Sequence, residues 1–509
     1  MVNRLLKART PYRDKPRSQK WMWCLPLVVA FLGLALTQKR AIDLMGVCVA
    51  LLLFAFLVNR PGGALIALVI ILPLESIVFG LLYGLHVPAG FLHPLSAYKE
   101  LLAGVILVAG LRHIRDTGKK LDRIDIALLL YVGVVTIYLI VPHLFSIYAP
   151  NQWSPRFLAY RSDVGYVLIF FGARHAPISP RVKDRFLQVV LGMGAFAAAV
   201  GLYQRIAPAS FANFVINTAH VATYQTNVLG LDPTVAARNL VYVTTLNPLH
   251  ITSIFLSPYD FGDYLDIVVA VAAVRIAQNR RSPFNYIVLA ASMACLYFTQ
   301  SRSNGIAAAI ILVLIALPTA RSPVEGRLRL IGALLVAAVL VVPSLSGSRY
   351  IGNASANQSS QGHIFEIEDG LGIIYYVPLG LGLGQQPGVA NRFAGLSSLI
   401  NDGDVSDNLI TQVADELGLQ ALLPWLFMMG FILWEFKRRG GLGDEFAAIA
   451  GFGFLAIVIA GQYHHVFLTF PVPWTLWAGA GLALSVVEPG SIREKTSSAS
   501  SYPAWAGVR

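Results

Sequence analysis

The residues with the most chemical potential form a short polar island, Phe298-Thr299-Gln300-Ser301-Arg302-Ser303-Asn304-Gly305. It is set between apolar runs from Tyr286 to Phe298 and from Ile306 to Leu317. Runs of that length read as membrane helices, which puts the island at a membrane surface. An arginine at the centre of a bilayer costs roughly 2.5–3.5 kcal/mol on insertion scales, so the position of Arg302 is constrained. Its guanidinium, the hydroxyls of Thr299, Ser301 and Ser303, and the N–H groups that open the following helix suit a diphosphate. The competing reading is an arginine that caps the preceding helix and snorkels to the interface.

Other candidates lie elsewhere. Asp407-Asn408 opens an apolar helix in which Asp407, Thr411 and Asp415 recur every four residues, with Asn408, Gln412 and Glu416 in the neighbouring row. So many polar groups in the first turns of a membrane helix need protein or water around them, not lipid. Asp407 can serve as the base that deprotonates an acceptor hydroxyl; otherwise Ser406 or Asp407 caps the helix and the rest pair with neighbouring helices. Arg161, in Tyr160-Arg161-Ser162-Asp163, reads as a second anion clamp or as the ion-pair partner of Asp163. His464 and His465, in Gln462-Tyr463-His464-His465, suit proton transfer near neutral pH or sit as interfacial histidines beside aromatics. Arg205 and Arg392 edge two long loops. The sequence has no metal-ligand spacing, no phosphate-cradling glycine loop with lysine and no aspartate pair of the kind that holds a divalent metal, so neither metal nor cofactor is expected.

The elements that must position these groups are membrane helices. The chain has 509 residues, of which 56% are hydrophobic and 13% charged, with a mean hydropathy of +0.63. A soluble domain carries about 25% charged residues. The formal charge of +12 does not point to nucleic acid, because the basic residues cluster in short loops between apolar runs. Cys24, Cys48 and Cys295 all sit inside apolar runs and read as small core residues.

The pattern predicts an all-α integral membrane protein of about fourteen spans, near 21–37, 41–58, 61–82, 96–111, 124–141, 158–173, 186–204, 262–278, 284–299, 304–320, 328–344, 407–436, 445–462 and 467–487. With the N-terminus cytoplasmic, 29 of the 39 lysines and arginines fall inside, as the positive-inside rule expects. The apolar run from Trp21 to Leu36 is followed by Gln38-Lys39-Arg40 rather than a small-residue cleavage site, and reads as an uncleaved first helix. The chain then divides into a basic N-terminus (1–20), an N-terminal bundle (21–204), an outer loop (205–261), helices carrying the island (262–344), a large outer loop (345–406), C-terminal helices (407–487) and a Ser-rich, disordered cytoplasmic tail (488–509). The large loop contains Pro378-Leu-Gly-Leu-Gly-Leu-Gly384, and long loops of this kind commonly carry function.

Taken in order, Thr299-Gln-Ser-Arg302-Ser-Asn-Gly305, the Gly-Leu-Gly-Leu-Gly run, and Asp407-Asn408 followed by Glu416-Leu417-Gly418 resemble the motifs of the bacterial O-antigen ligase and polysaccharide polymerase family, over residues 260–440. Arg392 and Gly403 also resemble a loop pattern of the polymerases. The family carries histidine where this chain has Asp407; an ionised aspartate only accepts hydrogen bonds and is a weak base unless burial raises its pKa. Asp407, His464 or His465 must then supply the base, or the activity differs. The resemblance implies a glycosyltransferase-C-like architecture and a metal-independent enzyme of the bacterial inner membrane. It would transfer a glycan from undecaprenyl diphosphate in the outer leaflet to an acceptor hydroxyl on a glycan or lipid-linked chain, with inversion. Arg302 and Arg161, with Ser301 and Ser303, would hold the diphosphate, and Asn408, Glu416 and Arg392 would support the site. Partners in this reading are membrane lipids and chain-length-regulating or export proteins. The other classes are a lipid-glycan or solute transporter, and a non-catalytic subunit of an export complex.

Overall fold

A computed structural model describes most of residues 54–485. Residues 1–53, 245–249, 279–281, 317–329, 339–366, 386–407, 467–470 and 486–509 lie outside that description, as do Ala55, Phe145, Ile147, Asp232, Ala333, Ala337, Leu442 and His465. Among the described residues every regular element is helical.

Eleven principal helices run in chain order: α1 (Pro61–Gly84), α2 (Tyr98–Thr117), α3 (Arg123–Ile140), α4 (Trp153–His175), α5 (Pro180–Ile206), α6 (Pro258–Ala277), α7 (Pro283–Thr299), α8 (Arg302–Ala316), α9 (Leu409–Gly441), α10 (Glu445–Ala460) and α11 (Val472–Ala483). Each falls where the hydropathy pattern predicts a span. Helices α1, α3, α5 and α9 are long and apolar enough to cross a membrane, and α7, α8 and α10 are shorter apolar helices. The predicted span 21–37 lies outside the described residues, 41–58 almost wholly so, and 328–344 is described only in part, as helix.

Helix α6 is the axis of the bundle. Every residue from Phe261 to Arg275 is buried, and it packs on α5, α7, α8, α10 and α11. Its start obeys a local rule: the Ser257 hydroxyl accepts from the Asp260 N–H at 3.3 Å, and Pro258 occupies the first helical position, where its missing N–H costs nothing. A second face of the bundle is built from α4, which packs on α2, α3 and α11, and from α9, which packs on α3 and α10. Buried Trp477 fills the junction, with ring centroids 5.0 Å from Tyr166, 5.6 Å from Phe170 and 5.1 Å from Phe454.

One end of the bundle gathers ion pairs. Arg174, 2% exposed, lies between Asp122 and Asp125, and His175 Nε2 bonds Asp125 at 2.9 Å. Asp122 also caps α3 through a reciprocal capping box with Asp125. Partial burial pushes the Asp122 carboxyl up, but the hydrogen bond and charge of Arg174 outweigh it and hold the group down at about 2. At the same end Arg439 bonds Glu435 at 2.8 Å and the carbonyls of Ala483 and Ser485. The polar island lies at the opposite end, where α7 stops and α6 and α8 begin.

Candidate functional site

The island is a tight reversal. Helix α7 ends at Thr299, Gln300 adopts a left-handed conformation (φ 56°), and α8 begins at Arg302 itself. The left-handed Gln300 turns the chain directly from one helix into the next. The long loop after α5 braces it: the Ile251 N–H donates to the Phe298 carbonyl at 3.2 Å, and His250 Nδ1 lies 3.3 Å from the Thr299 carbonyl. Burial, partly opposed by the bond to the Thr299 carbonyl, holds the His250 imidazole below its usual range and therefore neutral. The Arg205 guanidinium stacks over the Phe298 ring at 5.2 Å, a cation–π contact that brings a second cation to the island.

Behind the island lies a closed polar network. His464 Nε2 bonds both carboxylate oxygens of Asp263, at 3.0 and 2.9 Å, and its Nδ1 lies 3.3 Å from Ser303 Oγ. Asn304 Nδ2 donates to Asp263 Oδ1 at 2.6 Å and to Asp266 Oδ2 at 3.0 Å, and Ser301 Oγ donates to Asn304 Oδ1. A neutral His464 facing an ionised Asp263 carries its proton on Nε2, since the carboxylate can only accept, and then turns the Nδ1 lone pair toward Ser303. The order carboxylate–imidazole–hydroxyl is that of a hydrolase triad, with the two ring nitrogens exchanged. Asp263 and Asp266 have no exposed surface, and burying such groups is costly unless they are bonded. Both oxygens of Asp263 are bonded, whereas Asp266 takes one bond at Oδ2 and its buried Oδ1 has no partner among the described residues. The approach needs Gly262: a Cβ there would lie 2.6 Å from Asn304 Oδ1.

A second polar region surrounds a break in α9. Gly418 takes φ 70° and ψ 179°, a conformation open almost only to glycine, and interrupts the helix. The carbonyls this frees are taken by a strap, residues 377–385. The Leu381 N–H donates to the Asp415 carbonyl at 2.7 Å, the Gly382 N–H to the Glu416 carbonyl at 2.9 Å, and the Gly384 N–H to Glu416 Oε1 at 2.7 Å. Gly380, Gly382 and Gly384 all have positive φ. Asp163 of α4 and Glu416 of α9 are both buried carboxylates. The Gly-Leu-Gly-Leu-Gly run and Glu416-Leu417-Gly418 are thus two halves of one docking event.

The expected site residues separate into groups. Arg302, half-buried, opens α8, and Ser301 and Ser303 flank it with hydroxyls turned inward to Asn304 and His464. His464 joins them from the loop after α10. Asn408 is the cap of α9, accepting from the N–H groups of Ile410 and Thr411, in the place expected of Ser406 or Asp407. Its Nδ2 reaches Gln462, two residues before His464. Arg161 pairs at 3.2 Å with Glu100 of α2 rather than with Asp163, and its helix packs on α2, α3 and α11, whereas α8 packs on α6, α7 and α10. Glu416, in α9, is engaged by the strap. Asp407, His465 and Arg392 lie outside the described residues.

Sequence reasoning passed over Asp263, Asp266 and Asn304. The signal for the first two was on the page: carboxylates at positions 260, 263 and 266 of an otherwise apolar helix, whose spacing puts them near one face.

With the geometry in place, the chain can be set beside known families. Residues 287–426 match the family model described as O-antigen ligase. The match runs from α7 through the island and α8 and ends in α9, beyond Gly418. It bears out the motif resemblance within those limits, and leaves Asp263 and His464 outside. Comparison with curated proteins gives no match.

Proposed function

We propose, from the O-antigen ligase match over residues 287–426, that the chain is a polysaccharide ligase or polymerase of the bacterial inner membrane. In this reading it transfers a glycan from a polyprenyl diphosphate, undecaprenyl diphosphate in bacteria, to an acceptor hydroxyl at the outer face. One observation carries the reading: His464 is clamped by Asp263 and touches Ser303, the residue after Arg302. Base and anion-binding turn are one structure.

Arg302, the first-turn N–H groups of α8 and the neighbouring Arg205 hold the diphosphate and stabilise its charge as it leaves. The acceptor hydroxyl approaches His464 Nδ1 along the line now held by the Ser303 hydroxyl. Its proton passes to Nδ1, its oxygen bonds the anomeric carbon, and the bond from that carbon to the diphosphate breaks with inversion. Asp263 fixes the tautomer and stabilises the imidazolium that forms. His464 therefore takes the role for which the family uses the histidine replaced here by Asp407.

The test is the purified full chain in nanodiscs with a synthetic lipid-diphosphate glycan. New glycosidic bonds are expected from the wild type, with loss on Arg302→Ala and on His464→Ala. Normal product from both variants overturns the reading. A second reading, transport without chemistry, draws support from the helix broken at Gly418 beside buried Glu416 and Asp163, a feature of secondary transporters. Bare translocation of the same lipid, with no new bond, would favour it. Glu75, a further charge inside a predicted span, is already paired with Lys99 at 2.6 Å and Tyr98 at 3.0 Å.

A further inference from the structure

Beside His464 runs a chain of aromatic rings that the mechanism above does not use. The Tyr259 ring lies 5.5 Å from the His464 ring, tilted by 35°. Tyr242 stands edge-on to Tyr259 at 6.3 Å, and His250 lies 5.7 Å from Tyr242. Tyr259 is 42% exposed although it sits one residue into a helix that is buried from Phe261 to Arg275. Tyr242 is partly exposed. The rings come from three separate places, the short helix Val241–Thr244, the segment at His250 and the start of α6, and they converge where the proposed base is held.

We propose that Tyr259, supported by Tyr242, is a stacking wall for a pyranose ring of the glycan next to the bond being made. The proposal rests on the glycosyltransferase reading and names the substrate chemistry of the same site. A pyranose carries one face of C–H groups and a rim of hydroxyls. The negative face of an aromatic ring attracts the polarised C–H groups, and polar neighbours such as Asp260 can meet the hydroxyls. Such a wall orients the sugar without reading every hydroxyl. It also excludes water on one side of the imidazole.

Tyrosines at a membrane boundary commonly serve as an aromatic belt facing lipid headgroups. Belt residues act singly and outward, whereas Tyr259 packs against a histidine that is itself bound to a buried carboxylate. A polyprenyl tail is the other possible occupant, and the test separates it from a sugar.

Full-length protein in nanodiscs is titrated with undecaprenyl diphosphate and with the same lipid carrying a single glucose, galactose, N-acetylglucosamine or fucose, and binding is read by native mass spectrometry. At least one sugar is expected to tighten wild-type binding by about tenfold, the size of a good aromatic stack. Tyr259→Ala removes that gain, while Tyr259→Phe, which keeps the ring, preserves it. Arg302→Ala weakens the bare and the glycosylated lipid alike. No gain with any sugar, a gain that survives Tyr259→Ala, or equal weakening of the bare lipid by Tyr259→Ala overturns the proposal. Indifference of both lipids to Arg302→Ala instead sinks the glycosyltransferase reading itself.

Discussion

Asp263 is the residue on which the charge balance of the site turns. It has no exposed surface, and it faces both His464 and Asn304. Replacing it by asparagine keeps the volume but presents an amide where the ring N–H now donates, which favours the wrong tautomer of His464. Asp263→Asn is expected to lower kcat roughly 10²- to 10⁴-fold, the range of a lost general base, with KM for the lipid donor little changed. A fall in affinity with kcat intact would make Asp263 a structural residue. Arg302 and His464 were legible in the sequence because each interrupts an apolar pattern. Asp263 and Asp266 showed only as carboxylates recurring along one face of an apolar helix, and their role becomes intelligible only when their partners are known. Those partners lie 201 residues away at His464 and 41 and 38 residues away at Asn304, and no local period reaches that far.

At the scale of elements, the broken helix α9 and its strap stand or fall together. Gly418→Ala would put a Cβ 2.4 Å from the Leu379 carbonyl carbon and force an alanine into a glycine-only conformation. The expected cost is about 1–3 kcal/mol, seen as a lower Tm in detergent, and an unchanged Tm would mean that the break is not needed. The two motifs were visible in the sequence as separate runs. That one docks into the other was not, because main-chain hydrogen bonds between distant segments leave no mark on side-chain pattern. The ion-pair end offers a second test. Arg174→Ala takes the guanidinium from Asp125, which is 1% exposed, and leaves it with His175 as its side-chain partner. Breaking a buried pair from one side costs about 3–5 kcal/mol, read as a lower Tm. The pH dependence has a definite sign. The Asp122 carboxyl is held down at about 2 against an ordinary value of 3.8. Its contribution is therefore complete above pH 3.8 and is lost as pH falls toward 2. Asp122→Asn should flatten the decline of Tm across that interval, and an identical decline in the variant would show that the pair does not govern it.

For the whole molecule, the deciding quantity is which end faces out. The eleven helices lie where apolar runs predicted them, since length and hydropathy alone specify such segments. Their packing around α6 was not legible, because each buries against partners that hydropathy does not name. The two ends nevertheless differ in a way the sequence anticipated: Arg174, Arg439 and their carboxylates gather at one, the island and His464 at the other. The positive-inside rule assigns the first to the cytoplasm. A donor in the outer leaflet is reachable only if that assignment holds, so orientation is a test of function as well as of topology. In a background with Cys24, Cys48 and Cys295 replaced by alanine, a cysteine placed by Tyr376→Cys, at the strap and 81% exposed, should react with a membrane-impermeant maleimide in intact cells. One placed by Arg115→Cys, where the side chain is 79% exposed at the opposite end, should react only after permeabilisation. The reverse pattern would turn Arg302 and His464 toward the cytoplasm. There they could meet nucleotide-activated sugars but not a glycan already flipped to the outer leaflet, and the proposed reaction would lose its substrate whatever the geometry of the dyad.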